Sequence, residues 1–243
     1  AAELREFAVA AMHHAIAAEF YPDTSSKELC PGYQGMYVSG LMGFVENSVV
    51  MGYDVPPALK DDYERCCSFY LFVLTPLQNL PQFGDTPPRP SLAKNFSTNV
   101  VRFVDRPDFR WLASHGKDGA PPGFRSVHLP WAGFYTMRSG WDERSLYLCF
   151  DAGPLGKGHF HEDFGNFECY AYGERLIGDM GVYSYTFSEW RQYFVSSLAH
   201  NVVLVDGFGQ NRAGSPAQSG LFTADRPRTN DWHSDEVFDL AWG

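Results

Sequence analysis

The hydrophobic period of the chain changes near residue 120, and this change limits the fold more than any other feature of the sequence. Up to about residue 118, apolar residues recur at spacings of three and four, which is typical of amphipathic helices. After the stretch HGKDGAPPGF the spacing becomes two, which is typical of strands with one buried face. We therefore predict a multidomain α + β protein, with a helical domain over residues 1–118 and an antiparallel β-domain over residues 125–243.

The helical half divides into segments marked by proline. The second helix is predicted to present one apolar face from Leu29 to Val45, and the third is predicted to run from Pro57 to about Leu74. Two shorter helical pieces are expected before residue 115. Because the first helix starts without a preceding cap and FDLAWG stops in mid-pattern, we expect the sequence to be a fragment of a longer protein.

Alternating residues predict the strands of the second half. RSLYLCFDAG forms one strand, and NFECYAYGERLIG forms two short strands around a turn at Gly173 and Glu174. This register would place Glu168 opposite Asp179, which is unfavourable for like charges and would be relieved by a cation near Asp179. HNVVLVDG predicts a further strand that ends in an Asp-Gly turn.

The composition excludes some classes of partner. The formal net charge is −10 at pH 7, whereas a surface that binds nucleic acid uses Lys and Arg to neutralise phosphates, so we expect no nucleic-acid partner. Apolar runs are short and interrupted, which predicts neither membrane insertion nor a secretory signal peptide. The five cysteines show no Cys-x-x-Cys spacing, and this disfavours a disulfide framework.

The stretch GHFHEDFGN has several candidate catalytic or metal-binding side chains close together. It places His159, His161 and Asp163 at every second position, which suits a metal site, a catalytic base or a hydrogen-bonded polar loop. His200, at the start of a predicted strand, is a third imidazole candidate. The remaining histidines have no second ligand beside them in sequence.

A cupin-like barrel is an alternative for this stretch, since cupins also carry His-x-His on a strand. Gly153 stands six residues before His159 as in that motif. However, Glu168 follows two or three residues too late and Gly173 comes too early, which weakens this interpretation.

Three elements in one order resemble the heparinase II/III-like polysaccharide lyases, which include heparin, heparan sulfate and alginate or oligoalginate lyases. They are the His-x-His, the Gly-Asp-x-Gly-x-Tyr run over residues 178–183 and the Ala-His-Asn-x-Val run over residues 199–203. PDTSSKELCPGYQGMY and LPQFGDTPP are also similar to segments of that family. The resemblance implies an incomplete (α/α) toroid followed by an antiparallel β-sandwich, with the active site between them.

The resemblance also implies roles for individual residues. Tyr33 and His159 match the catalytic pair that moves protons during β-elimination at a uronate, while His161, Asp179 and His200 match the three ligands of a structural Zn²⁺. Further substrate contacts are expected in or beside these motifs, at Gln34, Arg138, Tyr185, Arg191 and Tyr193. Asp85 in the LPQFGDTPP loop is expected to brace the turn. The group that neutralises the substrate carboxylate has no counterpart before Tyr33.

The leading hypothesis is therefore a zinc-containing lyase that acts on an acidic, uronate-bearing polysaccharide or oligosaccharide. A carbohydrate-binding relative without turnover and a cupin-like metalloprotein are the alternatives. The resemblance implies a periplasmic or secreted bacterial protein. The sequence does not choose between alginate and glycosaminoglycans, or between a monomer and a homodimer.

Overall fold

Helices occupy the first part of the chain and strands the second. The computed structural model of the protein describes residues 2–88, 93–210, 222–229 and 231–243. Its α-helices are α1 (Ala2–Glu19), α2 (Gln34–Val50), α3 (Pro57–Val73), α4 (Ala93–Thr98), α5 (Pro107–Ala113) and α6 (Glu189–Val195). Short 3₁₀ turns follow α4 at Val100–Arg102 and α6 at Ser197–Ala199. Within these ranges, no helix is both long and apolar enough to cross a bilayer.

Five strands form one antiparallel sheet in which chain neighbours are also spatial neighbours. They are β1 (Val127–Leu129), β2 (Phe134–Arg138), β3 (Tyr147–Asp151), β4 (Phe167–Ala171) and β5 (Glu174–Ile177). A separate hairpin pairs β6 (Trp232–Ser234) with β7 (Asp239–Ala241). The described ranges thus hold helices and a five-stranded antiparallel sheet, while the incomplete (α/α) toroid and the β-sandwich stay predictions.

One hydrophobic core joins the helices to the sheet. Helix α3 lies at its centre, because residues on most of its circumference are buried. The Phe69 ring of α3 lies 6.5 Å from the ring of Phe134 in β2, measured between centroids. The Tyr147 hydroxyl of β3 donates a 2.7 Å hydrogen bond to the Val73 carbonyl at the end of α3. The two predicted domains therefore pack directly on each other, and their boundaries stay a prediction.

The start of the second helix differs from the prediction. Helix α2 begins at Gln34, and residues 31–33 form a turn before it. Leu29 has φ +56°, a left-handed conformation that no residue inside an α-helix adopts. Tyr33 is consequently the residue just before the helix, and its backbone N–H donates to the Cys30 carbonyl.

The hairpin of β4 and β5 also corrects the predicted register. Its turn is Tyr172–Gly173, with φ +59° and +91°, values that a two-residue primed turn requires. The ladder is irregular between Cys169 and Tyr170, so Glu168 does not face the Asp179 side chain across paired strands. Instead, the Asp179 backbone N–H donates to Glu168 Oε1 at 3.0 Å. The predicted like-charge opposition was wrong.

The strand predicted in HNVVLVDG does not form. Val203 and Val205 are 83% and 71% exposed, and no strand of the described ranges pairs with this segment. The Asp-Gly turn is present as predicted, with positive φ at Asp206 and Gly207, but it closes only a single bridge between Val205 and Phe208. All five cysteines are free, as expected.

Candidate active site and metal centre

Three irregular segments meet at the edge between helices and sheet. They are the loop after α3 (residues 80–86), the connection from β3 to β4 (residues 152–166) and the segment after β5 (residues 178–200). The first two are joined by their backbones, since the Asp85 N–H donates to the His159 carbonyl at 2.8 Å. A Cβ on Gly84, which has φ +55°, would lie only 2.6 Å from the same carbonyl oxygen. Glycine at position 84 therefore lets the loop approach His159.

Tyr33, His159 and Tyr185 form one contiguous group. The Tyr33 and His159 rings stack with centroids 3.5 Å apart and an angle of 12° between their planes. The Tyr33 and Tyr185 hydroxyls are 2.5 Å apart, within hydrogen-bond distance. Burial, followed by this hydrogen bond to Tyr33, raises the pKa of Tyr185. Two phenols and an imidazole, all able to transfer protons, thus lie within contact of one another.

The Asp85 carboxylate contacts the imidazoles of both His159 and His161. It is 1% exposed and contacts His159 Nδ1 at 3.2 Å through Oδ2 and His161 Nε2 at 2.9 Å through Oδ1. Arg191 of α6 donates to both oxygens in a bidentate pair. Burial alone would raise the pKa of Asp85, but the hydrogen bonds from His161 and Arg191 hold it well below its usual range. Asp85 is therefore a buried, ionised acceptor.

His161, Asp163 and His200 form a cluster that could hold a metal ion. One potential ligand atom of each lies within 4.8 Å of the other two, and all three side chains are buried. His161 Nδ1 and His200 Nε2 have no hydrogen-bond partner although both atoms are buried. Unpaired buried polar nitrogens are unfavourable, and a cation beside the Asp163 carboxylate would satisfy both. The residues present thus fit a metal ion.

Asp179 takes a different place from the one that the resemblance implies. Its Oδ2 contacts His200 Nδ1 at 2.6 Å and accepts the Asn166 amide at 2.8 Å, and its Oδ1 accepts the Gly181 N–H at 2.8 Å. Both Asp179 oxygens therefore have hydrogen-bond partners, and Asp179 contacts His200 through Nδ1, not through the unpaired Nε2. Although burial alone would lower the pKa of His200, the hydrogen bond and charge of Asp179 raise it. The observed cluster contains Asp163, and the assignment of Asp179 as a metal ligand stays a prediction.

A second buried carboxyl group, that of Asp151, interacts with Asp163 of the cluster. Asp151 and Asp163 are only 7% and 5% exposed. Burial, followed by repulsion from Asp163, raises the pKa of Asp151 well above its ordinary value. Burial also raises the pKa of Asp163, against the opposing effect of His200 and His161. This environment favours a bound cation, since a positive charge would offset the repulsion between the carboxylates.

A cleft of about 550 Å³ opens onto these groups. Its lining includes Asp85, His159, His161, Tyr185, Phe187 and Arg191. The structure therefore brings together two of the predicted substrate contacts, Tyr185 and Arg191, and the guanidinium of Arg191 is paired with Asp85.

Three other predicted substrate contacts lie elsewhere. Gln34 is 0% exposed and bonds to Ser26 N–H and to two carbonyl oxygens, which holds the loop before α2. Arg138 is 5% exposed, donates to the Phe72 carbonyl and lies over the Trp141 ring. Tyr193 packs against aromatic neighbours on α6 instead of lining the cleft. Gln34 and Arg138 are therefore buried and lie outside the lining of the cleft, and a contact of either with substrate stays a prediction.

Sequence reasoning undervalued Asp85 and Asp163. Asp163 belongs to the alternation of the His-x-His stretch, and that spacing was the available signal. Asp85 lies 74 residues from His159 along the chain, so no local pattern connects the two. Only the Gly-Asp pair in a proline-rich loop marks its position, and many turns share that signal.

Comparison with known proteins agrees with this architecture. A profile described as heparinase II/III N-terminus matches residues 1–111, and one described as heparinase II/III-like, C-terminal, matches residues 121–231. Two curated heparin-sulfate lyases, from Pedobacter heparinus and Bacteroides stercoris, are each 26% identical over 83% and 85% of this chain. The matched region is 32% of each relative, so the chain spans about a third of their length.

Solved structures share the fold. The crystal structure of a heparan sulfate lyase, HepC from Pedobacter heparinus, superposes with a TM-score of 0.83 at 23% identity and covers 98% of this chain and 37% of that structure. A heparinase III structure gives a TM-score of 0.78 at 25% identity over 84% of this chain and 33% of that one. Because the two profiles together match most of its length, this chain belongs to the heparinase II/III-like family of polysaccharide lyases.

Proposed function

We propose that this protein cleaves a uronate-containing acidic glycan by β-elimination, with heparan sulfate or heparin as the first candidates ahead of alginate. The named activity of the curated relatives supports glycosaminoglycans. The observation that carries the proposal is the stacked pair of Tyr33 and His159, with ring centroids 3.5 Å apart, beside an open cleft that His159 lines. A location in the periplasm or outside the cell is part of the same proposal.

The chemistry requires two proton transfers at one sugar ring. The C5 proton of the uronate is removed, the C4–O4 bond breaks with formation of a C4–C5 double bond, and O4 leaves with a proton. His159 has Nδ1 on Asp85, which leaves Nε2 for the substrate. Tyr33 lies just before α2, and its ring stacks on that of His159. Tyr33 and His159 supply the acid and the base, and the epimer of the uronate decides which acts at C5.

We also propose a Zn²⁺ ion at His161 and His200. Their unpaired nitrogens support two ligands, and the third is either Asp163, whose carboxylate lies beside both, or Asp179, which the resemblance implies. When bound, the ion would supply positive charge beside the buried carboxylates and fix the segment that carries His159. Metal analysis of Asp163→Asn and Asp179→Asn separates the two assignments, since loss of the third ligand weakens binding more than loss of an orienting residue.

The cleft needs more positive charge than its described lining provides. In that lining Arg191 is the one Arg or Lys, and its guanidinium is held by Asp85. A chain with a net charge of −10 repels a polyanion over long range, so local cations must neutralise the uronate carboxylate. We propose that regions of the full-length enzyme outside the described lining contribute them.

The test follows the ultraviolet absorbance of the unsaturated uronate product. Full-length protein is mixed separately with heparan sulfate, heparin, hyaluronan and alginate. We expect absorbance to rise with a heparan-type glycan and the rate to fall by at least ~10³-fold in Tyr33→Phe and in His159→Ala. Tyr172→Phe and His233→Ala are matched controls, because both residues are exposed and lie outside the cleft.

Each outcome decides between named functions. Cleavage of alginate alone would replace the proposed substrate but keep the reaction. Tight glycan binding with no product would identify a binding relative without turnover. Full activity in Tyr33→Phe would refute the assignment of the stacked pair.

A further inference from the structure

The loop of residues 82–86 is bonded to both sides of the His-x-His segment. The Asp85 backbone N–H donates to the His159 carbonyl, and the Gly84 N–H donates to Asp163 Oδ2 at 3.2 Å. Neither of these two bonds uses the Asp85 side chain. The carboxylate of Asp85 is therefore free for another purpose.

The Asp85 carboxylate contacts two imidazoles, that of the proposed catalytic residue His159 and that of the proposed metal ligand His161. Oδ2 lies 3.2 Å from His159 Nδ1, and Oδ1 lies 2.9 Å from His161 Nε2. Arg191 donates to both Asp85 oxygens as a counter-charge, so the carboxylate acts as an acceptor and the imidazole nitrogens that face it are the donors. The other nitrogens, Nε2 of His159 and Nδ1 of His161, point away from Asp85, and Nδ1 of His161 is the buried nitrogen without a partner.

We infer that Asp85 is a positioning residue that sets the tautomer and ring direction of His159 and His161 together, and so couples the proton-transfer site to the metal centre. The inference deepens the proposed function and rests on it. Carboxylates that accept the second N–H of a metal-bound histidine are known to raise metal affinity by orienting the ring. Here the same carboxylate would also orient the imidazole that faces the substrate.

Arg191 completes the arrangement. A buried carboxylate without a counter-charge is strongly unfavourable, and the bidentate guanidinium provides that charge. Ser188 caps α6 by accepting the Arg191 N–H, which fixes the helix turn that presents the guanidinium. Arg191 thus contributes to the cleft by holding Asp85 ionised, in addition to any contact with a sugar.

The experiment compares full-length wild-type protein with Asp85→Asn, which is nearly isosteric and keeps the backbone bonds of the loop. Zn²⁺ alone is titrated into metal-free protein against a chromophoric chelator, and kcat and KM are measured on the glycan that the wild type cleaves. We expect the Zn²⁺ affinity to fall ~10–100-fold and kcat to fall at least as much, with KM changed by less than about threefold. Asp118→Asn is the control, because its side chain is 68% exposed.

A turn-bracing role gives the opposite result. Asp85→Asn would then keep wild-type Zn²⁺ affinity and kcat, and the inference would be overturned. Should the variant fail to fold, long-range ¹H–¹⁵N NMR of the wild type still decides, because a His159 ring found neutral with its proton on Nε2 would refute the proposed orientation. If the wild type cleaves no glycan, the lyase function fails separately, while the Zn²⁺ titration and the NMR result still test the role of Asp85.

Discussion

Gly84→Ala should damage the site more than the fold. An alanine Cβ at this position would lie 2.6 Å from the His159 carbonyl oxygen, and an ordinary contact begins near 3.4 Å, so the two groups must separate by about 0.8 Å. The left-handed φ of +55° adds a strain of about 1–2 kcal/mol for any residue with a Cβ. We expect the free energy of unfolding to fall by about 2–3 kcal/mol in total. Because displacements of this size at a reacting group reduce rates by up to ~10²-fold, kcat should fall ~10–100-fold.

Gly52→Ala is the matched control for this prediction. Gly52 has a similar φ of +72°, but a Cβ there meets no atom within 4 Å. It should therefore lose only the ~1–2 kcal/mol of backbone strain and keep its activity. Urea denaturation gives the stabilities, and the ultraviolet assay gives kcat. Equal losses of stability and unchanged activity in both variants would refute the argument that loop contact positions His159.

Two further predictions test residues outside the cleft. Gln34→Ala should lower the free energy of unfolding by about 2–4 kcal/mol, because it leaves the buried Ser26 N–H and two carbonyls without a partner. Urea denaturation measures this loss. An altered KM with unchanged stability would contradict the structural role of Gln34. Hydrogen bonds from the Phe238 N–H, then from His233 and the Val237 N–H, lower the pKa of exposed Asp235 to about 2. Since the folded pKa lies below the ordinary value near ~4, the contribution of Asp235 to the β6–β7 hairpin is present above pH ~4 and is lost as the pH falls towards 2. The protection factors for amide exchange at Val237 and Phe238 should fall over that range, and Asp235→Asn should remove this acid dependence.

Local patterns predicted the elements that depend on local physics. The helix from Pro57 ends at Val73, one residue from the predicted end, because proline and a periodic apolar face act within a few residues. The strand at Tyr147–Asp151 was predicted by its alternation. The segment 200–205 carried a similar apolar run, but a strand also needs a partner, and the sequence does not state which segments pair.

The sequence also could not choose the buried face of β3. Tyr147, Cys149 and Asp151 point inward, while Leu148 and Phe150 are less buried. Alternation gives two equivalent faces, and the inward one is decided by where α3 lies, since the Tyr147 hydroxyl bonds to the Val73 carbonyl.

By itself, the sequence determined the change from helices to strands and the family, and it marked His159, His161 and His200 as candidates, because spacing and motif order are properties of the chain. Only the tertiary structure decided that Asp85 contacts both imidazoles, that Asp163 lies beside His161 and His200 and that Tyr33 stacks on His159. These contacts join segments up to 126 residues apart. They exist because one core packs the loop after α3 against the sheet, and no local pattern encodes which distant loops a shared core will bring together.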